Sequence, residues 1–167
     1  MSSISPCTIE EADGRLLLHA QHAAKCELGC ITIRTVDSDV VIIATYAFNR
    51  MSGIKQLWLD FGVGKSRRVI PVHELTTNIP SGVSENLLIF HCFSGCDTVS
   101  SFCSIRKRTA WKAWMSFREV DDAFQVLSTC DVIDDEAMKT VERFVVLMYD
   151  RTSTCTLVNQ WLSSCFD

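Results

Sequence analysis

The chain lacks any apolar run approaching the roughly 18 residues of a membrane-spanning helix, so no segment is expected to cross a bilayer. It also lacks an excess of positive charge. Its Lys and Arg number 16 against 20 Asp and Glu, a net charge of −4. That excludes a global electrostatic footprint for nucleic acid and leaves any such role to local basic patches. The opening Met1-Ser2-Ser3-Ile4-Ser5-Pro6-Cys7 has neither a basic nor an apolar stretch, so no secretory signal is expected. No internal repeat or low-complexity segment is present. Gly62-Val63-Gly64-Lys65-Ser66 is not a P-loop, because the upstream glycine is wrongly placed. His73 and His91 have no partnered nucleophile in the sequence, so no Ser–His or Cys–His catalytic arrangement is read.

What is present is an ordinary globular composition, 47% hydrophobic and 22% charged over 167 residues. That length makes about one domain with a sizeable core. The 9 cysteines are scattered through apolar segments. In a chain without a secretory signal they read as reduced thiols of an intracellular protein. Cys26-x3-Cys30 and Cys92-x3-Cys96, with His91 nearby, have a spacing that zinc tolerates. Without a His pair, buried structural thiols are the better expectation.

The pattern along the chain is α/β for the first hundred residues and helical afterwards. Ala12, Leu16, Ala20 and Ala24 recur every four residues within Thr8–Lys25, a helix whose small side chains predict close packing on a sheet. Thr8-Ile9-Glu10-Glu11 fits a capping box at its start. Cys30–Val36 reads as a buried strand. Val40–Ala44 is either its continuation or a short helix, and Asp37 as N-cap favours the helix. Gln56–Phe61 and Arg67–Pro71 predict a β-hairpin with a glycine-containing loop. Helices are expected over His73–Asn78, Glu85–Phe93, Thr109–Met115, Val120–Leu127, Asp134–Tyr149 and Leu157–Cys165.

Three acidic groups stand at the ends of these elements: Glu11 with Asp13, Asp37 with Asp39, and Asp97. Carboxylates gathered in one place repel each other unless a divalent cation offsets the repulsion. Two such ions about 3.5–4 Å apart can activate a water and stabilise the leaving oxygen of a phosphodiester. Each acid also has a structural reading. Glu11 serves a capping box, Asp13 favours a helix N-terminus, Asp37 is an N-cap and Asp97 a turn residue. Arg106, Lys107, Arg108 and Lys112 form a basic stretch able to contact phosphates, or simply a solvated helix face. Lys65, Arg67 and Arg68 read as a solvated hairpin tip.

The ordered set Glu11-Ala12-Asp13, Thr35-Val36-Asp37-Ser38-Asp39, Gly95-Cys96-Asp97 and Arg108-Thr109-Ala110 resembles the flap-endonuclease/XPG-like branch of the PIN-domain nucleases. With Phe90-His91, Asp97-Thr98-Val99-Ser100-Ser101-Phe102 and Thr109-Ala110-Trp111 it is similar, more narrowly, to the Asteroid-like and transposon-associated proteins of animals. The resemblance covers roughly residues 8–127. It implies an α/β fold with a central, mostly parallel sheet flanked by helices, a helix-hairpin-helix-like segment at 98–115, and a helical extension at 128–167. It implies a Mg²⁺- or Mn²⁺-dependent, structure-specific nuclease acting on branched DNA, in the nucleus. Glu11, Asp13, Asp37, Asp39 and Asp97 would hold the two ions, Asp13 bridging them, and Arg106, Lys107, Arg108 and Lys112 would meet the nucleic-acid backbone.

The chain departs from that family in two places. The family's first strand, with its acidic positions, has no counterpart ahead of Glu11. A truncated or degenerate copy, or a non-catalytic module that binds nucleic acid or protein, is the corresponding expectation, with self-association through an open sheet edge. Second, Ser104 and Arg106 stand where family hairpins carry glycines. Side chains with a Cβ resist positive φ, so an altered grip on the backbone is expected.

Overall fold

The computed structural model describes residues 12–80, 82–97 and 99–165. The chain divides into two compact units, one up to Leu88 and one from Ile89 on. Among the described residues the architecture is α/β: eight α-helices and a small mixed sheet of three strands.

The first unit is built around a βαβ segment. Helix α1 (Ala12–Lys25) turns at Glu27 into β1 (Cys30–Thr35), which is followed by α2 (Ser38–Phe48) and β2 (Gln56–Phe61). A 3-10 turn at Gly64–Ser66 leads to β3 (Arg68–Pro71), then to α3 (Val72–Asn78); α4 (Val83–Phe93) contains the point of division. Strands β1 and β2 are parallel, with Ile33 opposite Leu59. Their α2 crossover is the connection that parallel neighbours need. The β2–β3 link is too short for a crossover, so that pair is antiparallel, Asp60 opposite Val69. The hairpin read from the sequence is therefore present. The sheet is mixed and small.

The apolar periodicities explain which faces are buried. Ala20 and Ala24 of α1, Ile33 of β1, Val40 and Ala44 of α2, and Leu57 and Leu59 of β2 form one core. The four-residue alanine spacing gives α1 a narrow, smooth stripe that lets its backbone approach the sheet. Alternation along β1 sends Ile31 and Ile33 inward and leaves Thr32 and Arg34 exposed. The other face of β2 carries Trp58, edge-on to His73 with centroids 4.9 Å apart, and the buried carboxylate of Asp60.

Arg67, read as part of a solvated tip, is committed to Asp60. Its Nε and Nη2 donate to the two carboxylate oxygens at 2.6 and 2.8 Å, and Arg34 stands 4.0 Å away. The Arg67 hydrogen bonds, reinforced by the charges of Arg67 and Arg34, hold the Asp60 pKa below its ordinary value. Stability from this group is therefore complete above the ordinary carboxylate pKa and is lost as pH falls through the lowered, folded one. In an acid titration followed by circular dichroism, Asp60→Asn is expected to flatten the pH dependence in that acid window.

The second unit is helical, with an aromatic interior. It holds α5 (Lys107–Ser116), α6 (Val120–Thr129), α7 (Asp135–Tyr149) and α8 (Val158–Ser164). Trp114, Phe124 and Phe144 are fully buried. Phe90 stacks on Trp114 at 4.5 Å between centroids, and Phe124 meets Phe144 edge-on at 5.7 Å. The buried indole N–H of Trp114 is satisfied by Asp121 at 2.7 Å, and Arg118 Nε donates to the other oxygen of that carboxylate at 2.7 Å. Asp134 caps α7, accepting from the Ala137 amide at 2.7 Å.

The expectation of buried thiols is corrected. Cys26, Cys30, Cys103, Cys130 and Cys165 are exposed, and Cys92, Cys96 and Cys155 half-buried. Several occupy element ends: Cys30 opens β1, while Cys130 and Cys165 are the C-caps of α6 and α8. An apolar neighbourhood in sequence does not bury a residue at the boundary of an element. No helix among the described residues is long and apolar enough to cross a membrane.

Candidate functional site

In the first unit Asp37 and Asp39 follow the carboxyl end of β1. Thr35 ends the strand, and its Oγ1 accepts from the Asp37 amide at 3.0 Å. Asp37 has extended backbone and caps α2, its Oδ1 accepting from the Asp39 amide at 2.8 Å. The N-cap read from the sequence is thus present, and α2 runs on to Phe48 rather than ending at Ala44. Asp39 lies in the first helical turn, where the macrodipole favours a carboxylate. Both acids are half-buried.

Asp13 sits in the first turn of α1 and is half-buried. A 14-residue helix is about 21 Å long and a 6-residue strand about 20 Å, and α1 packs back along β1. Its first turn therefore lies toward the end of the sheet that carries Asp37 and Asp39. Among the described residues of this unit, Asp13, Asp37 and Asp39 are not drawn together into a group with ligand oxygens all within 4.8 Å. Glu11 lies outside the described residues, as does the rest of the capping box.

In the second unit, the segment between α4 and α5 carries Gly95-Cys96-Asp97. Gly95 has φ +98°, and a Cβ there would stand 2.5 Å from Ser101 Cβ and 2.7 Å from Ser101 Cα. No side chain fits in that space. Cys96 and Val99 then exchange backbone hydrogen bonds of 3.2 and 3.1 Å, and Asp97 projects from this tight turn into solvent. The buried imidazole of His91 and the half-buried thiol of Cys96 have ligand atoms within 4.8 Å of each other. Of the zinc-tolerant set Cys92-x3-Cys96 with His91 nearby, the fold brings His91 and Cys96 together.

Further along, Ser104 adopts φ +61°. A residue with a Cβ thus stands in a left-handed turn at one of the two positions where glycine was expected. Arg106, the other such position, has φ −88° as the N-cap of α5 and needs no glycine. Arg106, Arg108 and Lys112 are exposed. Lys107 is exposed as well, and its ammonium donates to His91 O at 3.0 Å, to Ser94 Oγ at 3.1 Å and to Gly95 O. A left-handed conformation costs an L-residue about 1–2 kcal/mol, part of which glycine loses again to backbone entropy. Ser104→Gly is therefore expected to raise stability by about 0.5–1 kcal/mol, read as a higher midpoint in urea unfolding.

One feature of the second unit had no signal in the sequence. Phe117, Glu119, Lys139, Arg143 and Leu157 line an open groove of about 460 Å³. Its residues come from separate elements, and only their packing places them together. Arg143 is anchored there by the carbonyls of Ser153 at 2.8 Å and of Cys155.

No family model matches the chain, and no curated protein or solved structure is similar enough to count as a match.

Proposed function

We propose that this protein is a metal-dependent nuclease of the flap-endonuclease-like PIN type, acting on branched nucleic acid through Mg²⁺ or Mn²⁺. The observation that carries the reading is the placement of Asp37 and Asp39 at the carboxyl end of β1. There the strand leaves the sheet for α2, the position at which open α/β sheets bind ligands. Oxygen donors of this kind suit a hard cation. Asp37 Oδ1 is committed to the α2 cap, so its Oδ2 is the oxygen offered to an ion. Asp39 and Asp13 are the further ligands, with Glu11 ahead of Asp13. The small mixed sheet is on this reading one part of a larger, mostly parallel one. In the second unit Asp97 is the acid of the family's Gly-Cys-Asp motif. The turn at Ser104 and the exposed Arg106, Arg108 and Lys112 supply the grip on a phosphate backbone.

A second reading is favoured by the second unit alone. The left-handed turn at Ser104 and its neighbouring cations are independent of the carboxylates. They fit a module that binds nucleic acid without turning it over. One experiment separates the two. Purified protein is incubated with branched and linear DNA in Mg²⁺ or Mn²⁺, with a chelator control. Metal-dependent cleavage of the branched substrate is the expected result. Binding that is lost in Arg106→Ala, with no cleavage under any metal, would leave only the module.

A further inference from the structure

We infer that Lys107 is not a phosphate contact but a positioning residue, a clip that shapes the α4–α5 segment carrying Asp97 and the basic hairpin. Three oxygens converge on its ammonium: His91 O at 3.0 Å, Ser94 Oγ at 3.1 Å and Gly95 O. Two of them belong to residues almost withdrawn from water, His91 at 6% and Ser94 at 5% exposure. An ammonium has three donors and no acceptor, and here each donor meets an oxygen of one helix end. That end is the C-terminus of α4, where unpaired carbonyls and the macrodipole favour a cation.

The remaining bonds of α4's last turn show why the clip matters. The Ser94 amide bonds to Phe90 O at 2.9 Å and the Gly95 amide to Cys92 O at 3.1 Å, and the Ser94 hydroxyl itself donates to His91 O at 3.3 Å. Lys107 joins this turn from the first residue of α5. It thus ties the start of the segment to its end, across the Cys96–Val99 bridge and the strained Ser104. Removing the ammonium frees both ends while leaving Arg106, Arg108 and Lys112 in the sequence to meet phosphate. The segment must then be ordered at the moment of binding, which lowers affinity without removing an ionic contact.

The functional arm of this inference rests on the nucleic-acid reading above; its structural arm does not. The test uses the full chain with Lys107→Met, Lys107→Arg, Arg106→Ala and Arg108→Ala. Amide hydrogen exchange is measured at Cys96, Val99 and Ile105, and duplex DNA affinity as a function of salt. Lys107→Met is expected to speed exchange at those three amides about tenfold or more, with α6 and α7 unchanged. Lys107→Arg, which keeps the charge but not three convergent donors, is expected to do so to a smaller extent. On duplex DNA Lys107→Met is expected to lower affinity about tenfold with an unchanged salt slope, whereas each arginine variant lowers the slope by about 0.9. Unchanged exchange in Lys107→Met overturns the clip, and so does a salt slope reduced like that of the arginine variants. If the unaltered chain binds neither this duplex nor branched DNA, the nucleic-acid reading fails by itself; whenever the duplex is not bound, exchange alone decides the clip.

Discussion

Under the proposed nuclease function, Asp39→Asn is expected to reduce Mg²⁺- or Mn²⁺-dependent cleavage on the order of a hundredfold or more while leaving the fold intact. The two halves of that expectation have separate physical sources. Asparagine keeps the shape of the side chain but removes the charge that offsets a divalent ion. A bound ion supplies several kcal/mol of transition-state stabilisation, and about 1.4 kcal/mol is tenfold in rate. The fold survives because the carboxylate that caps α2 belongs to Asp37, not Asp39. The charge at the first turn of α2 contributes only about 0.3–1 kcal/mol.

Asp37 provides the contrast. Asparagine caps a helix as well as aspartate does, whereas alanine forfeits about 1 kcal/mol. Asp37→Asn is accordingly expected to lose activity with little change in stability, and Asp37→Ala to lose both. Cleavage rates and urea midpoints measured on the three variants check this. Equal cleavage by Asp39→Asn and the unaltered chain would remove the metal-site reading.

Gly95→Ala is expected to destabilise the second unit by about 2–5 kcal/mol, the sum of a left-handed backbone and a steric overlap. Both terms follow from one position. At φ +98° an added Cβ would lie 2.7 Å from Ser101 Cα, a backbone atom that cannot swing aside as a flexible side chain would. Relief requires the turn to open, and the Cys96–Val99 hydrogen bonds go with it. The measurement is the urea midpoint together with near-ultraviolet circular dichroism of the aromatic interior. Ala at Gly53, where φ is +87° and the nearest atom stands at 3.3 Å, is the control: it carries the backbone strain with much less overlap.

Local chemistry made the elements legible and some of the site with them. The four-residue alanine spacing marked the buried stripe of α1, and Asp37 marked the start of α2. The glycine-containing loop marked the β2–β3 hairpin. Each is a signal between residues a few positions apart, where periodicity and capping act. The reach of α2 was under-read because the unbroken apolar run stops before Thr45, whereas the helix continues through Tyr46, Ala47 and Phe48.

The sequence by itself therefore determined the order and kind of the elements and the placing of Asp13, Asp37 and Asp39 at element ends. Only the tertiary structure decided which partners the charged groups take. Arg67, apparently a solvated tip, pairs with Asp60 across the hairpin, and the Lys107 ammonium donates to oxygens at the end of α4. It also decided that Gly95 has no room for a side chain and that Ser104 bears a glycine's conformation. The reason is common to all four. A residue's type fixes what it can donate, accept or tolerate, but the atoms that meet it come from other elements and are set only when those elements pack.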